Sequence, residues 1–202
     1  MLQIGLTPLR WACMYGNKES SQILLEAEAR DDLFCAGARG DIEAMEEILA
    51  QGSSIDMVNS PNRGGETPLM WAAMRGQVAA MKVLLKAKAK PDMRDQHGFT
   101  ALMGASQKGH LEAMKTLVNA RADINAREPE DDETALVMAI HCARSDAVAL
   151  LVELGAEKVM PARGARTMAS LLRALHSCLS PAPRKAASDT ECPHFASRFT
   201  AS

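Results

Sequence analysis

The chain has 202 residues and a formal net charge of -2, without the basic excess that marks a nucleic-acid-binding domain. Aromatic residues make up only 3% of it, so Ala, Leu and Met carry the apolar content, and these favour helices over strands. No apolar run approaches the ~18 residues of a membrane span, and Met1 to Arg10 lack the charged start and apolar stretch of a signal peptide.

In chain order, the first element opens at Gly5-Leu6-Thr7-Pro8-Leu9-Arg10-Trp11-Ala12-Cys13 and closes at Gly16. A second block, Ser21-Gln22-Ile23-Leu24-Leu25, follows it. The next copy has Asp31-Asp32 in place of Thr-Pro, then Ala38-Arg39-Gly40-Asp41 and Met45-Glu46-Glu47-Ile48-Leu49. The third opens at Gly65-Glu66-Thr67-Pro68-Leu69-Met70-Trp71-Ala72-Ala73, closes at Gly76 and continues with Met81-Lys82-Val83-Leu84-Leu85. The fourth has Gly98-Phe99-Thr100-Ala101-Leu102-Met103-Gly104-Ala105-Ser106, Gly109 and Met114-Lys115-Thr116-Leu117-Val118. The fifth has Glu133-Thr134-Ala135-Leu136-Val137-Met138-Ala139-Ile140, Ala143 in place of glycine, and Val148-Ala149-Leu150-Leu151-Val152. The closing residues Gly16, Gly40, Gly76, Gly109 and Ala143 lie 24, 36, 33 and 34 apart, a period of 33 with one short interval and two small insertions.

Physical chemistry makes each copy a helix pair. Pro at the first helical turn loses no hydrogen bond, and the Thr before it can cap free N–H groups for about 1 kcal/mol. Gly76 and Gly109 suit the left-handed stop of the first helix. Met81, Leu84 and Leu85 form one apolar stripe on the second. A single pair cannot hide its apolar face, whereas a stack of pairs can.

The period of 33 and the four Thr-x-Leu openings, two of them Thr-Pro-Leu, resemble the ankyrin repeat over roughly residues 5 to 158. The resemblance implies an all-α solenoid of about five helix-turn-helix repeats, copies 5–30, 31–59, 62–94, 95–127 and 129–158 within an array of 1–162. A capping helix or half repeat over 163–179, opening at Thr167, and a disordered tail over 180–202 would follow. The start in mid-array leaves two readings: a poorly capped first copy, or a piece of a longer array.

Departures from the family pattern carry expectations of their own. The family's His after Leu is Arg10, Met70, Met103 and Val137 here, which predicts looser turns. The glycine after the second helix survives as Gly52 and Gly155 but is Glu28, Lys88 and Arg121 in the other copies, where positive φ costs on the order of 1 kcal/mol.

No motif converges on catalysis or on a cofactor. His141-Cys142 are neighbours on a helix and point about 100° apart. His176, Cys178, Cys192 and His194 have zinc-ligand chemistry, but in a Pro- and Ser-rich segment whose spacing matches no zinc module, so no metal is expected. Cys13, Cys35, Cys142, Cys178 and Cys192 are scattered and odd in number, which reads as reduced thiols in an intracellular protein, cytoplasmic or nuclear. Trp11 and Trp71 share a repeat position suited to inter-repeat packing. Lys82, Lys86, Lys88 and Lys90, and the acidic Asp41, Glu43, Glu46 and Glu47, read as solvated outer faces. Asp123-Ile124-Asn125 resembles sites of asparaginyl hydroxylation, although most such matches are simply the structural loop.

The expected function is a non-catalytic scaffold or adaptor that binds another protein, with no nucleic acid, membrane or small-molecule substrate. The alternative is the targeting arm of a larger enzyme of kinase, acyltransferase or ubiquitin-ligase type. The family resemblance places the partner on turn tips and first helices. That surface would be Arg63, Glu66, Met70, Met74 and Arg75, then Gln96, His97, Phe99, Met103, Gln107 and Lys108, then Glu133, Val137 and His141, with Phe99 and Met103 as apolar anchors.

Overall fold

The computed structural model describes residues 8–14, 17–26, 32–51 and 55–157. The proposed cap over 163–179, the tail over 180–202, the residues Glu28 and Gly52, and His176, Cys178, Cys192 and His194 lie outside them. In chain order the helices are α1 (Pro8–Met14), α2 (Lys18–Glu26), α3 (Leu33–Arg39), α4 (Ile42–Ala50), α5 (Ile55–Asn59), α6 (Pro68–Met74), α7 (Val78–Lys86), α8 (Ala101–Lys108), α9 (Leu111–Asn119), α10 (Ala135–His141) and α11 (Ser145–Glu153). Among the described residues there is no strand, only an isolated antiparallel bridge between Arg127 and Thr134.

The helices form five pairs in two rows. First helices pack in succession, α1 on α3, α3 on α6, α6 on α8 and α8 on α10. Second helices form the outer row, α4 on α7, α7 on α9 and α9 on α11. The inner row is buried almost all round: Leu33 to Ala38, Pro68 to Ala73, Ala101 to Gln107 and Ala135 to Ile140. Ala36, Ala72, Ala105 and Ala139 are wholly buried, and their small size lets neighbouring first helices approach closely. The outer row buries one stripe per helix. Met81 and Leu84, Met114 and Leu117, and Val148 and Leu151 are fully enclosed, each worth about 1.5–3 kcal/mol of apolar burial.

The caps follow the sequence. Thr67, Thr100 and Thr134 accept the N–H groups of Met70, Met103 and Val137 on their hydroxyls at 3.3, 3.4 and 3.4 Å. Asp32 takes the same role for α3, accepting from Cys35 N at 2.9 Å. The left-handed stops fall where the repeat predicts them: Gly40, Gly76 and Gly109 have φ of 76°, 68° and 78°, and Ala143 is held at 52°. Lys88 and Arg121 are held at 68° and 65°, so the strain read from the missing glycines is present.

Two features were not foreseen. The longer interval between Gly40 and Gly76 contains α5, which sets Val58 into the core at 2% exposure. The turns lacking the family's His are not left without a partner in two copies. The sulfur of Met70 accepts Thr67 N at 3.4 Å and that of Met103 accepts Thr100 N at 3.5 Å, completing a weak capping box.

Trp71 packs on the preceding pair, edge-on to Phe34 with ring centroids 5.7 Å apart. The side chain of Trp11 is not among those described. Leu9, Cys13, Phe34, Cys35, Ala38 and Trp71 form a small apolar cluster beside the main core. A hydrogen bond with Cys13, and after it burial, push the Cys35 thiol up, and neither of these two cysteines forms a disulfide. Cys142 is disulfide-bonded, which corrects the expectation of five reduced thiols.

Candidate protein-binding surface

The turns that enter α6, α8 and α10 form a ladder with the same 33-residue step. Its anchors are Asn62, Asp95 and Glu128. The Oδ1 of Asn62 accepts the N–H groups of Gly64 and Glu66 at 2.9 and 3.0 Å. The Oδ1 of Asp95 accepts those of His97 and Phe99, both at 2.9 Å. Glu128, 1% exposed, accepts those of Glu130 and Asp131. A short polar side chain bonding its own loop in this way fixes the turn without help from the core.

Adjacent turns also touch. Gln96 N donates to Gly64 O at 3.0 Å. Gly65 and Gly98 have φ of 79° and 84°, and a Cβ on them would lie 2.6 Å from Gln96 N and 2.2 Å from Pro129 Cδ respectively. Glycine is therefore required twice over, for the backbone angle and for the approach. Arg94 donates to Gly98 O and to Arg127 O, and Arg127 pairs with Asp132, extending the tie to the next turn.

The fourteen candidate positions fall into three groups. Arg63, Gln96, Lys108 and His141 are exposed. Glu66, Met74, Arg75, His97 and Phe99 are half-buried and line or rim the turns. Met70, Met103, Gln107, Glu133 and Val137 are buried. Met103 is wholly enclosed, so the expectation that it anchors a partner does not hold. The reason is its place three residues into the helix, where Met70 and Met103 turn back to the capping threonines and Val137 packs inward. Glu133 lies 3.0 Å from His141 Nδ1. Phe99 is half-buried on its turn.

Glu66, Asp95, Met70, Met74, Phe99, Thr100, Gly104 and Gln107 line an open groove between the third and fourth turns. Glu66 Oε2 is held by Asn62 Nδ2 at 2.8 Å and by Trp71 Nε1 at 2.9 Å. Burial raises the Asp95 carboxyl above its ordinary range, the N–H groups of Phe99 and His97 oppose this, and the nearby Glu66 adds to it. Gly104 stands where Trp71 stands one repeat earlier, and Met74 fills its place: a Cβ there would lie 2.7 Å from Met74 Cγ.

The other candidates have structural roles or none. Lys82, Lys86, Lys88 and Lys90 are exposed, as are Glu43, Glu46 and Glu47. Asn59, Asp92 and Asn125, 33 apart, each accept a backbone N–H of the following loop on Oδ1: Lys90 at 2.7 Å, Asp123 at 2.8 Å and Glu157 at 2.8 Å. Asn125 is thus part of the loop ladder. Among the described residues no group of three His, Cys, Asp or Glu could hold a metal ion.

Asn62, Asp95, Glu128 and Arg94 were missed at the sequence level. Their signal was the 33-residue spacing of Asn, Asp and Glu just before the Thr openings. It is weak because all three are ordinary loop residues.

A family profile described as ankyrin repeats, three copies, matches residues 33–128. The chain is similar to the ankyrin-repeat family over this stretch. It is 32% identical over 126 residues to the human transient receptor potential cation channel subfamily A member 1, a match covering 62% of this chain and 11% of the channel. It is 31% identical over 109 residues to an IkB-like protein of African swine fever virus, isolate Tick/South Africa/Pretoriuskop Pr4/1996, covering 46% of each. The IkB-like protein of the Badajoz 1971 Vero-adapted strain matches at 30% over 109 residues. The chain therefore spans about a tenth of the channel and under half of the viral relatives. Ankyrin repeats generally bind other proteins and are generally non-catalytic. Among the described residues no helix is long and apolar enough to cross a membrane.

Proposed function

We propose that this chain is an intracellular scaffold or adaptor that grips a partner protein along its turns and the adjoining ends of α6, α8 and α10. The observation that carries the reading is the stacked turn ladder. Asn62, Asp95 and Glu128 hold successive turns rigid, so the side chains on them are presented with little ordering entropy left to lose on binding. Arg63, Glu66, Met74, Arg75, Gln96, His97, Phe99, Lys108 and His141 supply contacts of mixed charge and polarity, with half-buried Phe99 at the centre. The buried Gln107 contributes where it faces the groove. Nucleic acid, small-molecule substrates and cofactors have no part in the proposal, and the net charge of -2 lacks the basic excess that nucleic acid would call for.

A second reading has one observation behind it. The channel match occupies 11% of that relative, so a stretch of this kind can sit as one arm of a far longer protein. In that reading the same surface positions a larger enzyme.

Photo-crosslinking separates the binding face from the outer row. A photoreactive residue at Gln96 or Lys108 is expected to capture a discrete partner, and one at Lys82 or Lys86 is not. Capture from the outer positions alone would reject the assignment.

A further inference from the structure

Gln107 is a buried residue whose carboxamide has no partner among the described residues. It is 8% exposed, and its carboxamide makes no hydrogen bond among the described residues. Its backbone carbonyl is used, accepting from Arg144 Nε at 3.2 Å, but its side chain is not. An unpaired buried amide is costly, and folded proteins keep few of them.

The side chain lines the groove shared by Glu66 and Asp95. Both carboxylates are fixed by one oxygen, Glu66 Oε2 by Asn62 and Trp71, Asp95 Oδ1 by two backbone N–H groups. The second oxygen of each has no partner among the described residues, and no Lys or Arg there forms an ion pair with either. Their mutual repulsion contributes to the raised Asp95 carboxyl. Around this negative end lie Met70, Met74 and Phe99, and Met74 fills the space that the missing side chain of Gly104 leaves. The groove thus offers an apolar wall, an anionic end and one unused amide.

Taking this face as the partner-binding one, we propose that the groove receives an arginine side chain from an extended partner segment, with its guanidinium at Glu66 and Asp95 and its neighbouring peptide group on the Gln107 carboxamide. Arginine fits better than lysine because its planar fork donates in two directions at once, to two fixed carboxylates, while its stem lies on Met and Phe. A carboxamide is complementary to a peptide group, with one donor and one acceptor side.

The test titrates the full ¹⁵N-labelled chain with the peptide Ac-Gly-Ser-Ala-Arg-Ala-Ser-Gly-NH₂ and with its citrulline counterpart, which keeps the shape and loses the charge. The arginine peptide should shift the amide signals of Glu66, Phe99, Gly104 and Gln107, and the citrulline peptide should bind about ten-fold more weakly or less. Asp95→Asn should weaken the arginine peptide. Gln107→Leu should weaken it too while leaving the melting temperature equal or higher, which a merely structural glutamine would not do. Equal binding of both peptides, shifts confined to α4, or a destabilised Gln107→Leu chain with unchanged binding would overturn the proposal. If crosslinking from Gln96 succeeds while the peptides fail, the binding face stands and the arginine does not. If both fail, both go.

Discussion

Nε2 of His110 sits 3.1 Å from the carbonyl oxygen of Met74, thirty-six residues earlier and one repeat away. Arg144 does the same one step along, donating from Nε to Gln107 O at 3.2 Å. Each residue starts a second helix and satisfies a carbonyl near the end of the preceding first helix, a group that would otherwise lack an intrahelical partner. These residues also lie over the glycines that close those helices. A Cβ on Gly76 would stand 2.8 Å from His110 Nδ1, and one on Gly109 would stand 3.2 Å from Arg144 Cδ.

This arrangement gives the stack a pH dependence. Burial, the largest effect, lowers the His110 pKa below its ordinary value, with Arg75, Lys108 and Arg144 adding to it and the Met74 carbonyl opposing. The unfolded chain takes up the proton at about pH 6.5 and the folded chain only at lower pH, so stability rises with pH across that window. It is complete above about 6.5 and is lost as pH falls toward the depressed folded value. Urea denaturation at about pH 5.5 and 7.5 should show a loss on acidification that is smaller in His110→Gln.

Lys88→Gly and Arg121→Gly should each stabilise the chain. Relief of the left-handed strain outweighs the extra freedom glycine gives the unfolded chain, leaving a gain of about 0.5–1 kcal/mol. The denaturation midpoint should rise with an unchanged slope. Ala143→Gly, at φ 52°, should act in the same direction.

Gly98→Ala should be costly. The new methyl meets Pro129 Cδ, and φ of 84° is closed to alanine, so a loss on the order of 2–3 kcal/mol is expected. Amide exchange should quicken first around the turns at Asp95 and Glu128 and less in α4, because each pair leans mainly on its neighbours.

Trp71→Ala removes the ring that meets Phe34 and the N–H that holds Glu66, for about 3–5 kcal/mol. Circular dichroism melts should show loss of cooperativity between the second and third pairs before the array as a whole unfolds.

Much of the fold is legible because the 33-residue period writes its own register. Thr67, Thr100 and Thr134 mark helix starts, and the misfit residues Lys88 and Arg121 betray strain at their positions. The binding surface is less legible because exposure depends on side-chain direction, which spacing alone leaves open. Met70 and Met103 look like surface residues on a helix wheel and are pulled inward by the caps they complete. The single side chain that most distinguishes the groove, Gln107, sits at a position chosen for exposure, and its interest lies in being buried.

The most direct measurement is hydrogen exchange of the full chain with and without its crosslink-identified partner. The account predicts slowed exchange at residues 62–66 and 95–99 and at the C-terminal ends of α6 and α8, with α4, α7 and α9 unchanged. Slowing confined to α4, α7 and α9 would contradict it.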